Sequence, residues 1–394
     1  MARKMAGTMA SSKFCAVFLL LAIFFPASLK ASSCFTRKTP NIRADHLFHK
    51  KTKPVILGHR GNPKKFQENT IEGFKSLVDL GADGLEVDVY LTDRDQLVLF
   101  HDDNAMKLTG TDKLIWEMTP SEIQNLTYKQ SLTYGKMTYN YAKRLKVGLL
   151  EDLLNATKDS DLLIYIEMKP SKTVYDNINA DTERSRRTVK AVIDMVTRLG
   201  LEKKVFLASL DYRKALLAKQ MNPNIVVGSF YLESYWSKNT KWYQDFKNQL
   251  KTFPGLNTCL DALPADRTLM DTLFKRGSIF KSINASFIDL QFSIYSNKNI
   301  TNNAFKIFRD NYNLIMSAGA STIYDMKLNA AETDASESRV QYLIDQRAER
   351  LATDDVTRLR KKLGRGVKSG QAEMKKTSAL FLVLALFSVT FYYF

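Results

Sequence analysis

The sequence predicts an α/β fold of strand–helix units around a parallel sheet, on three observations. From Pro54 onward, short aliphatic runs alternate with longer stretches of helical periodicity. Several of those runs end in His, Glu or Lys, where α/β barrels place their chemistry. The 394 residues, 45% hydrophobic, suffice for one α/β barrel of about 250 residues or more with flanking segments.

The first strand is expected at Val55–His59, and Thr70 should cap a helix whose apolar face is Ile71, Phe74, Leu77 and Val78. Gly81 to Gly84 turns the chain into a second strand, Gly84-Leu85-Glu86-Val87-Asp88-Val89. A further apolar run, Leu97 to Phe100, leads into His101 and Asp102. Thr109 to Gly148 is long, polar and rich in Thr and Tyr, and reads as an insertion. A helix near 149–157 and a third strand, Leu162 to Met168, follow. Later strands are expected near 205–209, 225–230, 287–292, 314–318 and 350–353, with helices near 185–199, 212–220, 303–311 and 337–346. Tyr231 to Ser286, with Trp236 and Trp242, carries no assignable pattern.

Strand alternation puts Glu86 and Asp88 on one face and Leu85, Val87 and Val89 on the other. Two like charges so close repel, and burying them is costly unless a cation is present. A hard divalent ion bound through oxygen meets that need, as does an Arg or Lys partner. The carboxylate pair lies between two strand-end histidines, His59 and His101, and Arg60 follows the first. Together these residues favour acid–base chemistry over a structural role.

These residues resemble the glycerophosphodiester phosphodiesterase family. The resemblance rests on His59-Arg60-Gly61, Glu68-Asn69-Thr70, Glu86-Val87-Asp88 and His101-Asp102, in the family's order and spacing, and on Glu167-Met168-Lys169 at the end of a later strand. It implies a (β/α)8 TIM barrel over residues 54–363 with a small cap inserted after the second strand, at about 109–148. It also implies one divalent cation, Mg²⁺ or Ca²⁺, on Glu86, Asp88 and Glu167, and phosphate binding by Arg60 and Lys169. His59 and His101 would be base and acid in an order the sequence does not assign. The nucleophile would be a neighbouring substrate hydroxyl, giving a cyclic phosphate, or a water on the metal. Toward the C-terminus the chain departs from the family. Leu314–Gly319 and Gln346–Arg350 replace a strand tryptophan and a Gly-x-Asp-Gly turn, while Thr353-Asp354 is kept.

The expected substrate is a glycerophosphodiester or a lysophospholipid. One alternative is a phospholipase D-like enzyme acting on choline lipids such as sphingomyelin, although the related venom enzymes lack Glu-Asn-Thr. Another is an inactive surface-binding module on the same fold. Retention of both histidines and all three carboxylates argues against the second.

The net charge of +17 belongs to the flanks. Residues 1–54 carry ten Lys/Arg against one Asp, and residues 355–378 carry eight against two acids. That distribution suits a membrane surface or a tether and disfavours a nucleic-acid groove. Arg3, Lys4 and Lys13 precede the apolar run Phe14 to Phe25, and small residues follow, the order of a signal peptide over residues 1–31. Glycosylation sequons stand at Asn125, Asn155, Asn284 and Asn299. Without the signal, Cys34 and Cys259 remain, either as a disulfide or as two thiols. A basic stalk is expected over 355–378, and the chain finishes in an apolar run, Ala379 to Phe394. As a helix that run would span about 24 Å, short of a hydrocarbon core of about 30 Å. Small residues and a polar spacer precede it, as in a glycosylphosphatidylinositol signal, and a short tail anchor is the alternative. These signs place the protein on the outer face of the cell.

Overall fold

The structure, a computed structural model, describes residues 42–170, 178–232, 234, 285–291 and 315–366. The signal, Cys34, Cys259, Asn284, Asn299, Trp236, Trp242, the helix expected at 303–311 and the C-terminal run lie outside the described residues.

The strands are β1 (Val55–His59), β2 (Gly84–Leu91), β3 (Leu97–Leu99), β4 (Ser131–Tyr134), β5 (Met137–Asn140), β6 (Leu163–Met168), β7 (Val205–Ser209), β8 (Val226–Tyr231), β9 (Phe287–Leu290), β10 (Ile315–Ile323) and β11 (Arg350–Thr353). The helices are α1 (Ile71–Asp79), α2 (Met106–Thr109), α3 (Pro120–Asn125), α4 (Leu150–Thr157), α5 (Ile178–Arg198), α6 (Tyr212–Met221), α7 (Ala330–Ala335), α8 (Glu337–Asp345) and α9 (Val356–Lys362). Strands β1, β2, β6, β7, β8, β9, β10 and β11 pair in parallel in that order, and β11 returns to β1. The ring is closed, and the fold is an α/β TIM barrel. Leu97–Leu99 is a strand, as its composition predicts, but it runs antiparallel to the outer end of β2 and is not a stave. Apolar content alone does not distinguish the two arrangements.

Two cores follow from the alternation along the staves. Leu85, Val87 and Val89 face outward, with Ile164 and Ile166, against Phe74 and Leu77 of α1 and the other helices. Inside the ring, Val55, Leu57, Leu163, Tyr165, Phe206, Val226 and Phe287 pack together, and Phe48 closes the bottom. The barrel unit therefore begins before residue 54, because the 3₁₀ turn Leu47–Lys50 plugs its N-terminal face. Of the apolar face expected on α1, Phe74 and Leu77 are buried, whereas Val78 is 48% exposed.

The cap has a core of its own, in which Phe100, Leu108, Trp116, Ile123, Tyr128, Tyr134 and Tyr141 pack with Met326 from the last part of the chain. The β4–β5 hairpin belongs to it. The expected stalk is corrected at its start, since Val356 and Leu359 of α9 are buried and Arg365 pairs with Asp83 at 2.8 Å. Basic residues there cover an amphipathic barrel helix. Asn125 and Asn155 are both exposed.

Candidate active site

Register brings the chemistry together. Across β1 and β2, His59 lies beside Glu86, and across β2 and β6, Asp88 lies beside Glu167. Inward-facing positions at the C-terminal ends of three neighbouring staves thus form one cluster. The oxygens of Glu86, Asp88 and Glu167 come within 4.8 Å of one another, and all three residues are buried.

Arg60 sits at the turn after β1 with φ of +53°, a left-handed conformation unusual for a side-chain-bearing residue. The turn is held on both sides: its amide donates to Glu86 Oε2 at 3.0 Å, and its carbonyl accepts from Asn69 N at 2.9 Å. Arg60 Nη1 donates to Glu68 Oε1 at 3.1 Å. Arg60 Nε lies 3.3 Å from Asp88 Oδ2, yet it is buried without a hydrogen-bond partner, a donor left over for another anionic oxygen. Asn69 donates to Asp88 Oδ2 at 2.9 Å and accepts the Asp88 amide at 3.2 Å. The Glu68-Asn69 pair therefore aims both the arginine and one of the cluster's carboxylates.

Lys169 Nζ bridges Asp88 Oδ1 and Glu167 Oε1, each at 2.8 Å. Its ammonium is thus committed to the carboxylates rather than open to a phosphate. Its own carbonyl accepts from Lys214 Nζ at 2.5 Å.

His59 Nδ1 lies 2.8 Å from Asp354 Oδ1, and its Nε2 is 3.9 Å from Glu86 Oε2. His101 is brought over the cluster by the Phe100 amide, which donates to Asp88 O at 3.1 Å, and its Nδ1 lies 2.7 Å from Asp102 Oδ1. The two rings differ electrostatically. Burial opposes the charge on His59, but Asp354 outweighs it and raises the pKa. Burial, with Arg60 and Lys169 nearby, pushes His101 down to about 3, so it is neutral at physiological pH. Burial and then the Asp88 charge push Glu86 up to about 8. Asp88 goes the other way: burial would raise it, but Lys169 and Arg60 hold it below the ordinary range.

All seven side chains singled out in the sequence meet here. Asp354 has a role that sequence reasoning did not assign, although Thr353-Asp354 at the end of the last stave was the available signal. Glu68, Asn69 and Asp102 hold Arg60, Asp88 and His101 in place.

The cluster suits a hard cation. Five buried carboxylates, Glu68, Glu86, Asp88, Glu167 and Asp354, meet two permanent cations, Arg60 and Lys169. A divalent ion on Glu86, Asp88 and Glu167 would balance the excess negative charge of the cluster.

Comparison with known proteins decides the family, because the model of the glycerophosphoryl diester phosphodiesterase family matches residues 59–259, just over half of the chain. The chain belongs to that family. Its members are phosphoric diester hydrolases. A glycerophosphodiester phosphodiesterase of Caldanaerobacter subterraneus is 28% identical over 179 residues, 45% of this chain and 67% of the relative. Human lysophospholipase D GDPD1 is 27% identical over 126 residues, 31% of this chain and 40% of the relative. The matched region thus spans at most about two thirds of these relatives. Among solved structures, a putative glycerophosphoryl diester phosphodiesterase of Silicibacter pomeroyi aligns with a TM-score of 0.56 at 17% identity, covering 85% of this chain and 99% of the other. An Oleispira antarctica phosphodiesterase in complex with its product sn-glycerol-3-phosphate aligns at 0.52 and 15% identity, covering 79% and 97%. These two likenesses bear on the fold alone.

Proposed function

We propose that this member of the family is a metal-dependent phosphodiesterase that cleaves glycerophosphodiesters or lysophospholipids. The observation that carries the reading is the three-carboxylate cluster flanked by two histidines, each with an aspartate on Nδ1. Glu86, Asp88 and Glu167 would hold one divalent ion, Mg²⁺ or Ca²⁺, which when bound neutralises phosphoryl charge.

The remaining work falls to the chain's own groups. Arg60, with Nε unpartnered, donates to a phosphate oxygen. Lys169, now paired with Asp88 and Glu167, would be available to a phosphate oxygen once a metal ion held those carboxylates. His101, held neutral, accepts the proton of the attacking hydroxyl, either a neighbouring hydroxyl of the substrate or a water. His59, whose protonated form Asp354 favours, delivers a proton to the departing alkoxide. The Asp partners orient the rings, and that of His59 stabilises its charge.

The substrate class draws on the relatives named as glycerophosphodiester phosphodiesterase and lysophospholipase D. Mass spectrometry of the products from a panel of glycerophosphodiesters and lysophospholipids tests the reading. Glycerol 3-phosphate, lysophosphatidate or their cyclic forms are expected. Absence of metal-dependent turnover on every member of the panel would overturn it.

Secretion and attachment to the outer cell surface complete the proposal, carried by the signal-like N-terminus and the terminal apolar run. No helix among the described residues is long and apolar enough to cross a membrane. A phosphatidylinositol-specific phospholipase C should release the protein from intact cells. Protein that stays bound and still contains Phe391–Phe394 would refute the lipid anchor.

A further inference from the structure

A groove of about 870 Å³ opens between the cap and helices α1 and α4, and none of the catalytic side chains lines it. Its volume is that of a small-molecule site, about 300–1,000 Å³. The floor is apolar, formed by the buried Ile123, Leu145 and Val147 with Ile71 at the edge. The rim is cationic. Lys75, Lys143 and Lys146 are exposed there, and Arg144 adds a fourth positive charge against Glu72 and Asp152.

These cations are not all spent on the protein. Arg144 binds Tyr128 O and Thr127 of the cap, and Lys146 Nζ reaches Gln124 O at 3.0 Å. Lys143 Nζ, however, is only within 4.0 Å of Glu72, both of them well exposed, and Lys75, also exposed, has no ion pair among the described residues. One turn beyond Lys75 on α1, Val78 is 48% exposed, on the same helical face as Ile71. A small anion would leave that floor unused, and a neutral hydrocarbon would leave the lysines uncompensated. An anionic head with one chain matches both halves.

We propose that this groove is a second binding site, separate from the catalytic mouth, for a single-chain amphiphile with an anionic head. It does not depend on the catalytic reading. The groove does adjoin the loop that arms the site: Ile71 directly follows Asn69-Thr70, and Gln67 Nε2 donates to Lys143 O at 2.8 Å.

The test is photolabelling of the full chain in lipid nanodiscs by a monoacyl glycerol phosphate with a diazirine on its acyl chain, with labelled peptides located by mass spectrometry. Label is expected in residues 71–78 and 143–149. The Lys75→Glu, Lys143→Glu double variant should lose about tenfold in labelling at these peptides while keeping turnover. Glu86→Gln should leave groove labelling unchanged. Label confined to peptides of the barrel mouth would overturn the proposal. So would equal labelling by a choline-headed, cationic analogue, indifference to the charge reversal, or full displacement by free glycerol 3-phosphate, which would mark a small-anion site.

Discussion

His59 and Asp354, 295 residues apart, meet at 2.8 Å because barrel closure sets the end of β11 beside the end of β1. Asp354 also accepts the Met326 amide at 2.7 Å on its other oxygen, so its orientation does not depend on the histidine. An Asp354→Asn variant keeps the shape and loses the charge that favours protonated His59. We expect kcat to fall by roughly 10² to 10⁴ with KM changed far less. An unaltered kcat would reduce the pair to a structural contact.

Metal removal is the second test. Chelation should abolish turnover, and Mg²⁺ or Ca²⁺ should restore it. Calorimetry should show one ion bound by the wild type and none by the Glu86→Gln, Asp88→Asn double variant. Turnover by that variant in chelator would disprove the role of the cluster.

Gly61 is confined by its backbone. Its φ is +93°, and an added Cβ would lie 3.0 Å from the carbonyl carbon of Gly73 and 3.2 Å from the Phe74 amide nitrogen, backbone atoms of α1 that cannot swing aside. Gly61→Ala should cost about 2 kcal/mol or more, from the left-handed penalty and the clash. Because Arg60 shares the turn, activity should fall as well. A melting temperature equal to the wild type would contradict this account.

Acid should destabilise the fold through His46. The ring is fully buried, its Nε2 lies 3.3 Å from Val205 O, and burial lowers its pKa to about 4. In the unfolded chain it would titrate near 6.5. Between those values the unfolded state binds more protons, so stability is intact above about pH 6.5 and falls toward pH 4, by at most roughly 3 kcal/mol. His101, lowered to about 3, acts in the same direction. Asparagine at position 46 can still accept from the Phe48 amide, as the ring does at 3.2 Å. Urea unfolding at pH 7 and pH 4.5 should therefore show a smaller loss for His46→Asn than for the wild type, and equal losses would clear His46 of the effect.

The parts legible in the sequence are those with a local signature. Bounds at Val55–His59, Val205–Ser209 and Arg350–Thr353 agree with the expected strands because each is a short run buried along all or nearly all of its length. Glu86 and Asp88 share a face because strand period alone decides it. Asp354 was marked only by its place after the last strand, and its pairing with His59 is set by ring closure. The charge of α9 concealed Val356 and Leu359, three residues apart on the buried side of a short helix. The cap's tyrosines looked like a polar insertion, yet Tyr128, Tyr134 and Tyr141 are core.

Arg365 donates to Thr52 O and Pro54 O and pairs with Asp83, all at the entry ends of the staves, and the Leu47–Lys50 turn plugs that same face. Both ends of the described fold thus leave from the floor of the barrel, while the histidines look out of its roof. Gly366, the last described residue, follows Arg365 on that floor. A leash fixed there would hold the mouth turned outward from its anchoring surface, toward diesters arriving through water, and a bilayer-embedded substrate would have to come from an opposing membrane unless the leash let the barrel roll over.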